Sequence, residues 1–147
     1  MTARISLEPL DRYNWELCLD LQLAPGQETY VPGVLYSLAQ ARFENLVPYG
    51  VRDGEQMVGF VMYGEFGGIC WISRVLIDRA HQRRGVGRAA VQLLLRQLRL
   101  RPACREIRTS YARENTAAGA FFRSLGFTDI LPDVLDEEIV LRYTGGG

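Results

Sequence analysis

Gln82-Arg83-Arg84-Gly85-Val86-Gly87-Arg88 joins an apolar run, Cys70-Trp71-Ile72-Ser73-Arg74-Val75-Leu76-Ile77, to an amphipathic one extending from Ala89 to about Leu100. The first reads as a strand and the second as a helix, so the segment between them is a glycine-rich strand-to-helix turn. Such a turn is suited to phosphate. Glycine lets the backbone approach closely and reach φ > 0. Successive N–H groups then converge at the positive end of the following helix. The arginines add forked donors that fit phosphate oxygens. Two common phosphate loops are excluded: the chain has no lysine for a G-x-x-x-x-G-K-[ST] loop, and no third glycine follows Gly87 for G-x-G-x-x-G.

The surrounding chain is that of an ordinary globular protein. It has 147 residues, 48% of them hydrophobic, and a formal net charge of +0. Residues 1–144 read as a single domain and 145–147 as a flexible glycine tail. The balanced charge gives no support to a nucleic-acid or membrane partner. No apolar run reaches the ~18 residues of a membrane span, and the N-terminus lacks a signal-peptide core. Cys18, Cys70 and Cys104 are odd in number and scattered, as in a reduced cytoplasmic protein. With His81 as the lone histidine, beside the glycine loop, no metal site is expected.

Taken in order, Ile5–Leu10 reads as a strand. Asn14 reads as the cap of a helix from Trp15 to Leu21, with Trp15, Cys18 and Leu19 inward. Gln27 to Gly33 reads as a loop. A second helix from Val34 to Glu44 places Leu35, Leu38, Ala39 and Arg42 at helical spacing. Residues 48–52, 56–63 and 69–77 form three antiparallel strands around Asp53-Gly54 and Gly67-Gly68. After the third helix, Glu106–Tyr111 is a strand parallel to the central one, because a helix crosses over between them. Asn115-Thr116 caps a fourth helix through Leu125. Strands from Phe127 to Leu131 and Ile139 to Tyr143 finish the chain.

The loop resembles the Q/R-x-x-G-x-G/A motif of the GNAT acetyltransferase superfamily, and the β-α-α-β-β-β-α-β-α-β-β order resembles that fold. The resemblance implies a mixed α/β (α+β) architecture, with a sheet of six to seven strands, about four helices, and splayed parallel strands at the cofactor site. It implies that acetyl-CoA lies in that gap. Val75, Leu76 and Ile77 of the central strand would contact its arm. Gln82, Arg83, Arg84, Gly85, Val86, Gly87 and Arg88 would hold its pyrophosphate, and Asn115 and Phe122 would touch it from the fourth helix. Asn115 reads equally as a helix cap.

Amine acetylation requires loss of an ammonium proton before attack, and stabilisation of the departing thiolate. Family members often protonate the thiolate with a tyrosine seven residues after the asparagine. Here that position is Phe122, which has no proton to give. Three readings follow: the thiolate leaves unaided, Tyr111 serves, or the protein senses acetyl-CoA without turnover. The base is open, with Glu28, Glu44 or Glu65 reaching through water as candidates.

Glu28 to Ala41, Met57 to Gly64 and Trp71 to Asp78 resemble segments of the bacterial spermine/spermidine acetyltransferases within this superfamily. That resemblance implies a small cationic amine as partner, with Glu28, Tyr30, Tyr36, Glu65 and Asp136 as substrate-binding residues. Another amine, such as a protein N-terminus or an aminoglycoside, is the alternative. A homodimer is expected by resemblance only.

Overall fold

The computed structural model describes residues 4–130 and 137–145. One seven-stranded sheet runs through them in the order β1-β2-β3-β4-β5-β7-β6. The strands are β1 (Ile5–Pro9), β2 (Val47–Asp53), β3 (Gln56–Phe66), β4 (Ile69–Ile77), β5 (Glu106–Ala112), β6 (Phe127–Asp129) and β7 (Glu138–Tyr143). The helices are α1 (Val34–Glu44), α2 (Val86–Arg99) and α3 (Thr116–Ser124). All strand pairs are antiparallel except β4 and β5, which the crossover through α2 makes parallel.

The sheet is covered on both faces. Val91, Leu94 and Leu98 of α2 and Phe122 of α3 pack with Cys70, Ile72, Ile107 and Phe127 in the larger core. Val34 and Ala41 of α1 pack with Cys18, Phe60, Met62 and Leu76 on the opposite face. Alternate residues of a strand serve alternate faces, so Phe60 and Met62 belong to one core and Val61 and Tyr63 to the other.

Two expectations about the first helices are corrected. Trp15 to Leu21 is not an α-helix; only a 3-10 turn, Trp15–Cys18, forms. The cap is spent elsewhere, because Asn14 Oδ1 accepts from the Asp11 amide at 2.8 Å. Beyond Cys18 the chain is drawn onto the end of β4: the Gln22 amide donates to Asp78 Oδ1, and the Arg79 amide to the Gln22 carbonyl, each at 2.8 Å. Leu19 is exposed. Among the described residues there are thus three α-helices, against about four expected.

The span of α1 agrees with the expectation, and of the four residues at helical spacing only Leu38 packs against the core. Val34, Ser37 and Ala41 are buried, while Leu35 is 66% exposed, and Ala39 and Arg42 also face solvent. A polar anchor sets the rotation. Ser37 Oγ donates to the Gly33 carbonyl and accepts from Arg74 Nε, both at 2.8 Å.

Candidate active site

The site begins where β4 and β5 separate. They pair only from Ile69 with Glu106 to Ile72 with Thr109. At that last rung the buried Thr109 hydroxyl donates to the Ile72 carbonyl at 2.8 Å. Beyond it, Ser73 to Ile77 has β3 on one side and, among the described residues, no strand on the other.

A β-bulge sets which groups face this gap. Met62 pairs with Arg74 but Tyr63 with Ile72, so Ser73 is one residue more than β3 can match. The alternation of β4 changes there. Cys70 and Ile72 belong to the larger core before Ser73, and Val75 and Ile77 pack against it afterwards. The Asp78 amide donates to the Val58 carbonyl of β3 at 2.8 Å. Counting back from Asp78, Leu76 faces β3, and Val75 and Ile77 turn their backbone groups into the gap. Val75 and Ile77 thus border the gap with their backbone. Leu76 turns the other way, and its side chain is buried in the core under α1.

Two cavities meet in the gap. One, of about 410 Å³, lies between the glycine loop, α2 and α3, and is lined by Gln82, Arg83, Gly85, Val86, Gly87, Arg88 and Ile77. The other, of about 300 Å³, is lined by Tyr30, Trp71, Arg74, Ser110, Tyr111 and Glu138. Val31, Val75, Asn115, Ala118 and Phe122 line both, so they form the passage from one to the other.

The first cavity has the chemistry of an anion site. Gly85 caps α2 at φ 77° with no side-chain hydrogen bond, and the first bond along the helix is Ala89 N to Gly85 O. The amides of Val86, Gly87 and Arg88 precede any intrahelical acceptor. Arg83 is held at φ 65°. Gln82 Nε2 donates to the Ile77 carbonyl at 2.9 Å and to Gln27 Oε1 at 3.2 Å, fastening the loop to β4 and to the segment above it. Arg88 reaches Ser124 Oγ at 3.2 Å. Arg84 is exposed and lines neither cavity. Asn115 is both cap and lining: its Oδ1 accepts loosely from the Ala118 amide at 3.4 Å.

These residues fit acetyl-CoA. The loop and helix start offer amides to a pyrophosphate, the passage is apolar except for Asn115, and the gap leaves strand amides for an amide-bearing arm. Among the described residues no group of three His, Cys, Asp or Glu side chains is placed to hold a metal ion.

In the second cavity Tyr111 is buried, and its hydroxyl oxygen accepts from Arg123 Nη2 at 2.8 Å. Arg123 is bound to Asp129 by Nε–Oδ1 at 2.9 Å and Nη2–Oδ2 at 3.1 Å. Asp129, and then Tyr111, hold its guanidinium above the usual arginine range. Because the tyrosine oxygen is an acceptor here, its own proton remains to be donated elsewhere. A Cβ at residue 119 would lie 2.6 Å from Tyr111 Cζ, so Gly119 makes room for the phenol. Phe122 packs edge-on against Phe121 and Phe127 at 5.2 and 5.4 Å.

Arg74 lines the same cavity and is tied to Ser37, Gln40 and the Ser73 carbonyl. Burial pushes its pKa down, while Tyr36, Glu44 and Glu138 oppose that shift. Tyr30 lines the cavity. Glu28 and Tyr36 are exposed and line neither cavity. Glu65 is away from the site and paired with Arg101 at 3.0 Å. Asp136 lies outside the described residues. Sequence reasoning reached Glu138 only as a member of the acidic run Asp133, Asp136, Glu137 and Glu138, which the family resemblance puts beside the acceptor site, and it missed Ser110 and Gly119; a glycine inside a helix was the signal available for the last.

Neither cavity contains a cysteine. Burial pushes the Cys18 thiol up to about 11 and the Cys70 thiol up to about 12, so neither is a thiolate near neutral pH.

A sequence profile described as the Acetyltransferase (GNAT) family matches residues 14–127. The spermine/spermidine N(1)-acetyltransferase of Bacillus subtilis (strain 168) is 26% identical over 132 residues, spanning 84% of this chain and 87% of that protein. The GNAT domain of S. lividans PAT superposes with a TM-score of 0.77 at 18% identity, covering 93% of this chain and 88% of that one. A GNAT family acetyltransferase from Elizabethkingia anophelis with acetyl-CoA bound gives 0.68 at 12% identity, over 96% and 98%. The fork between β4 and β5, the glycine loop at its mouth and the profile across most of the chain agree: this chain belongs to the GNAT acetyltransferase family and is an acetyl-CoA-dependent N-acetyltransferase.

Proposed function

We propose that the chain acetylates a primary amine of a small cationic substrate, with spermidine and spermine as first candidates, by direct transfer between the two cavities. The observation that carries this reading is the junction at Val75, Asn115 and Phe122, where the cofactor cavity opens into one lined by tyrosines and a carboxylate. Aromatic faces at Tyr30 and Trp71 and the charge of Glu138 suit an ammonium group. The name of the Bacillus relative supports the polyamine class.

Acetyl-CoA supplies an activated acetyl thioester. Val75 and Ile77 orient it through backbone groups. The amides of Arg83 to Arg88 and the side chain of Gln82 hold the phosphate end. Asn115 and Phe122 close the passage against water. Tyr111 donates its hydroxyl proton to the departing sulfur, in place of the phenylalanine at residue 122. No cysteine relay is required. The reading carries with it a cytoplasmic location and a homodimer.

The test is CoA release from acetyl-CoA against spermine, spermidine, a diamine, an aminoglycoside and an N-terminal peptide. Preference for polyamines supports the reading. Preference for the peptide or the aminoglycoside replaces the acceptor class while keeping the reaction. Acetyl-CoA binding without turnover on any amine ends it.

A further inference from the structure

We propose that Glu138, held in place by Ser110, is the base that takes the proton from the acceptor ammonium. This rests on the N-acetyltransferase reading above and assigns its missing proton acceptor.

Among the described residues, Glu138 is the one carboxylate that lines either cavity. The other acids considered are engaged elsewhere. Glu28 accepts from the Gly26 amide, Glu44 from Gln40, and Glu65 from Arg101. Glu138 opens β7, opposite Ala112 of β5, so it is mounted on paired strands. Ser110 Oγ donates to Glu138 Oε1 at 2.7 Å. That contact engages Oε1 and leaves Oε2 to take the proton of the acceptor. Ser110 lines the same cavity, as does Tyr111. The proposed base and the proposed acid therefore stand at neighbouring places on the β5–β7 ribbon.

Glu138 also acts electrostatically on Arg74. A guanidinium fixed by Ser37 and Gln40 in the same cavity disfavours a second positive charge there. It thereby eases proton loss from the acceptor, while Glu138 receives the proton.

The protons and bonds balance as follows. The ammonium gives one proton to Glu138 Oε2. The nitrogen lone pair forms the C–N bond with the thioester carbonyl carbon as the C–S bond breaks. The sulfur takes a proton from Tyr111, which is restored by the second proton of the nitrogen. Glu138, at the exposed mouth, passes its proton to water. The sum is acetylamide, CoA thiol and one released proton.

The test uses the full chain with Glu138→Gln, Glu138→Ala and Ser110→Ala, each measured with spermidine and, in parallel, by calorimetric titration with acetyl-CoA. Loss of the base should lower kcat by about a hundredfold or more, leave acetyl-CoA affinity unchanged, and be partly restored to Glu138→Ala by added formate. Ser110→Ala should lose less, and Ser110→Thr should restore it. Wild-type kcat in both Glu138 variants overturns the proposal, and so does a rise in KM alone with no response to formate. If the wild type itself turns over none of the amines in the panel, the N-acetyltransferase reading fails, and this assignment fails with it.

Discussion

The Thr109 hydroxyl donates to the Ile72 carbonyl at 2.8 Å on the last rung shared by β4 and β5. One strand's side chain thus occupies the acceptor that the next rung of a regular sheet would use. The fork opens just beyond it. Thr109→Val keeps the shape but leaves a buried carbonyl without a donor, at a cost of about 1–3 kcal/mol. Urea denaturation should register that loss, and acetyl-CoA should bind more weakly as the fork loosens. Wild-type stability in the variant would remove Thr109 from this role.

Arg83 adopts φ 65°, a conformation unfavourable for a residue with a Cβ. Arg83→Gly removes that strain of about 1–2 kcal/mol and adds a glycine entropy cost of roughly 0.5–1 kcal/mol. The melting temperature should hold or rise slightly. Affinity for acetyl-CoA should fall, because a guanidinium beside the phosphate site is lost. A drop of several degrees with unchanged affinity would contradict both halves.

Tyr111→Phe and Phe122→Tyr separate the candidates for the proton donor. Tyr111→Phe removes the hydroxyl bound by Arg123 and should lower kcat by about a hundredfold or more, with acetyl-CoA affinity retained. Phe122→Tyr should leave kcat near the wild-type value, since the donor is already present. A large gain from Phe122→Tyr would instead identify a missing acid.

The hydrogen bond from Arg123, followed by its charge, holds Asp129 below the ordinary carboxylate range. A depressed folded-state pKa contributes stability above the unfolded value of about 4, and that contribution disappears as pH falls through the folded value. Both side chains are substantially exposed, at 40% and 47%, so the effect is held to about 1 kcal/mol or less. Asp129→Asn should therefore be slightly less stable than wild type at pH 7, with the gap closing below about pH 4. A gap that is the same at both ends would show that the pair does not titrate as described.

Much of the fold was legible because it is written in local pattern. The strand before the loop, the span of α1 and the cap at Asn115 follow from periodicity and side-chain chemistry within a few residues. What escaped depends on partners distant in sequence. Trp15 to Leu21 has helical spacing, but Asp78 captures the Gln22 amide 56 residues away. Leu35 looks inward by count, but the buried pairing of Ser37 with Arg74 turns it out. Glu65 looked like a substrate ligand until Arg101 was placed beside it. Glu138 was visible only as one acid in an acidic run, because its position opposite Ala112 is a matter of strand register.

The extra residue at Ser73 has a consequence for anyone who would improve this sheet. Deleting Ser73 would let β3 and β4 zip without interruption, a change that sheet-idealising design rewards. The same edit would keep every β3 partner, with Arg74 still opposite Met62 and Ile72 opposite Tyr63, but it would remove the bend and added twist that the bulge gives β4 where it parts from β5. The fork would narrow, and the gap that receives acetyl-CoA with it. Thermal tolerance and acetyl transfer would then move in opposite directions, so a screen that selected on melting temperature alone would enrich for inactive protein.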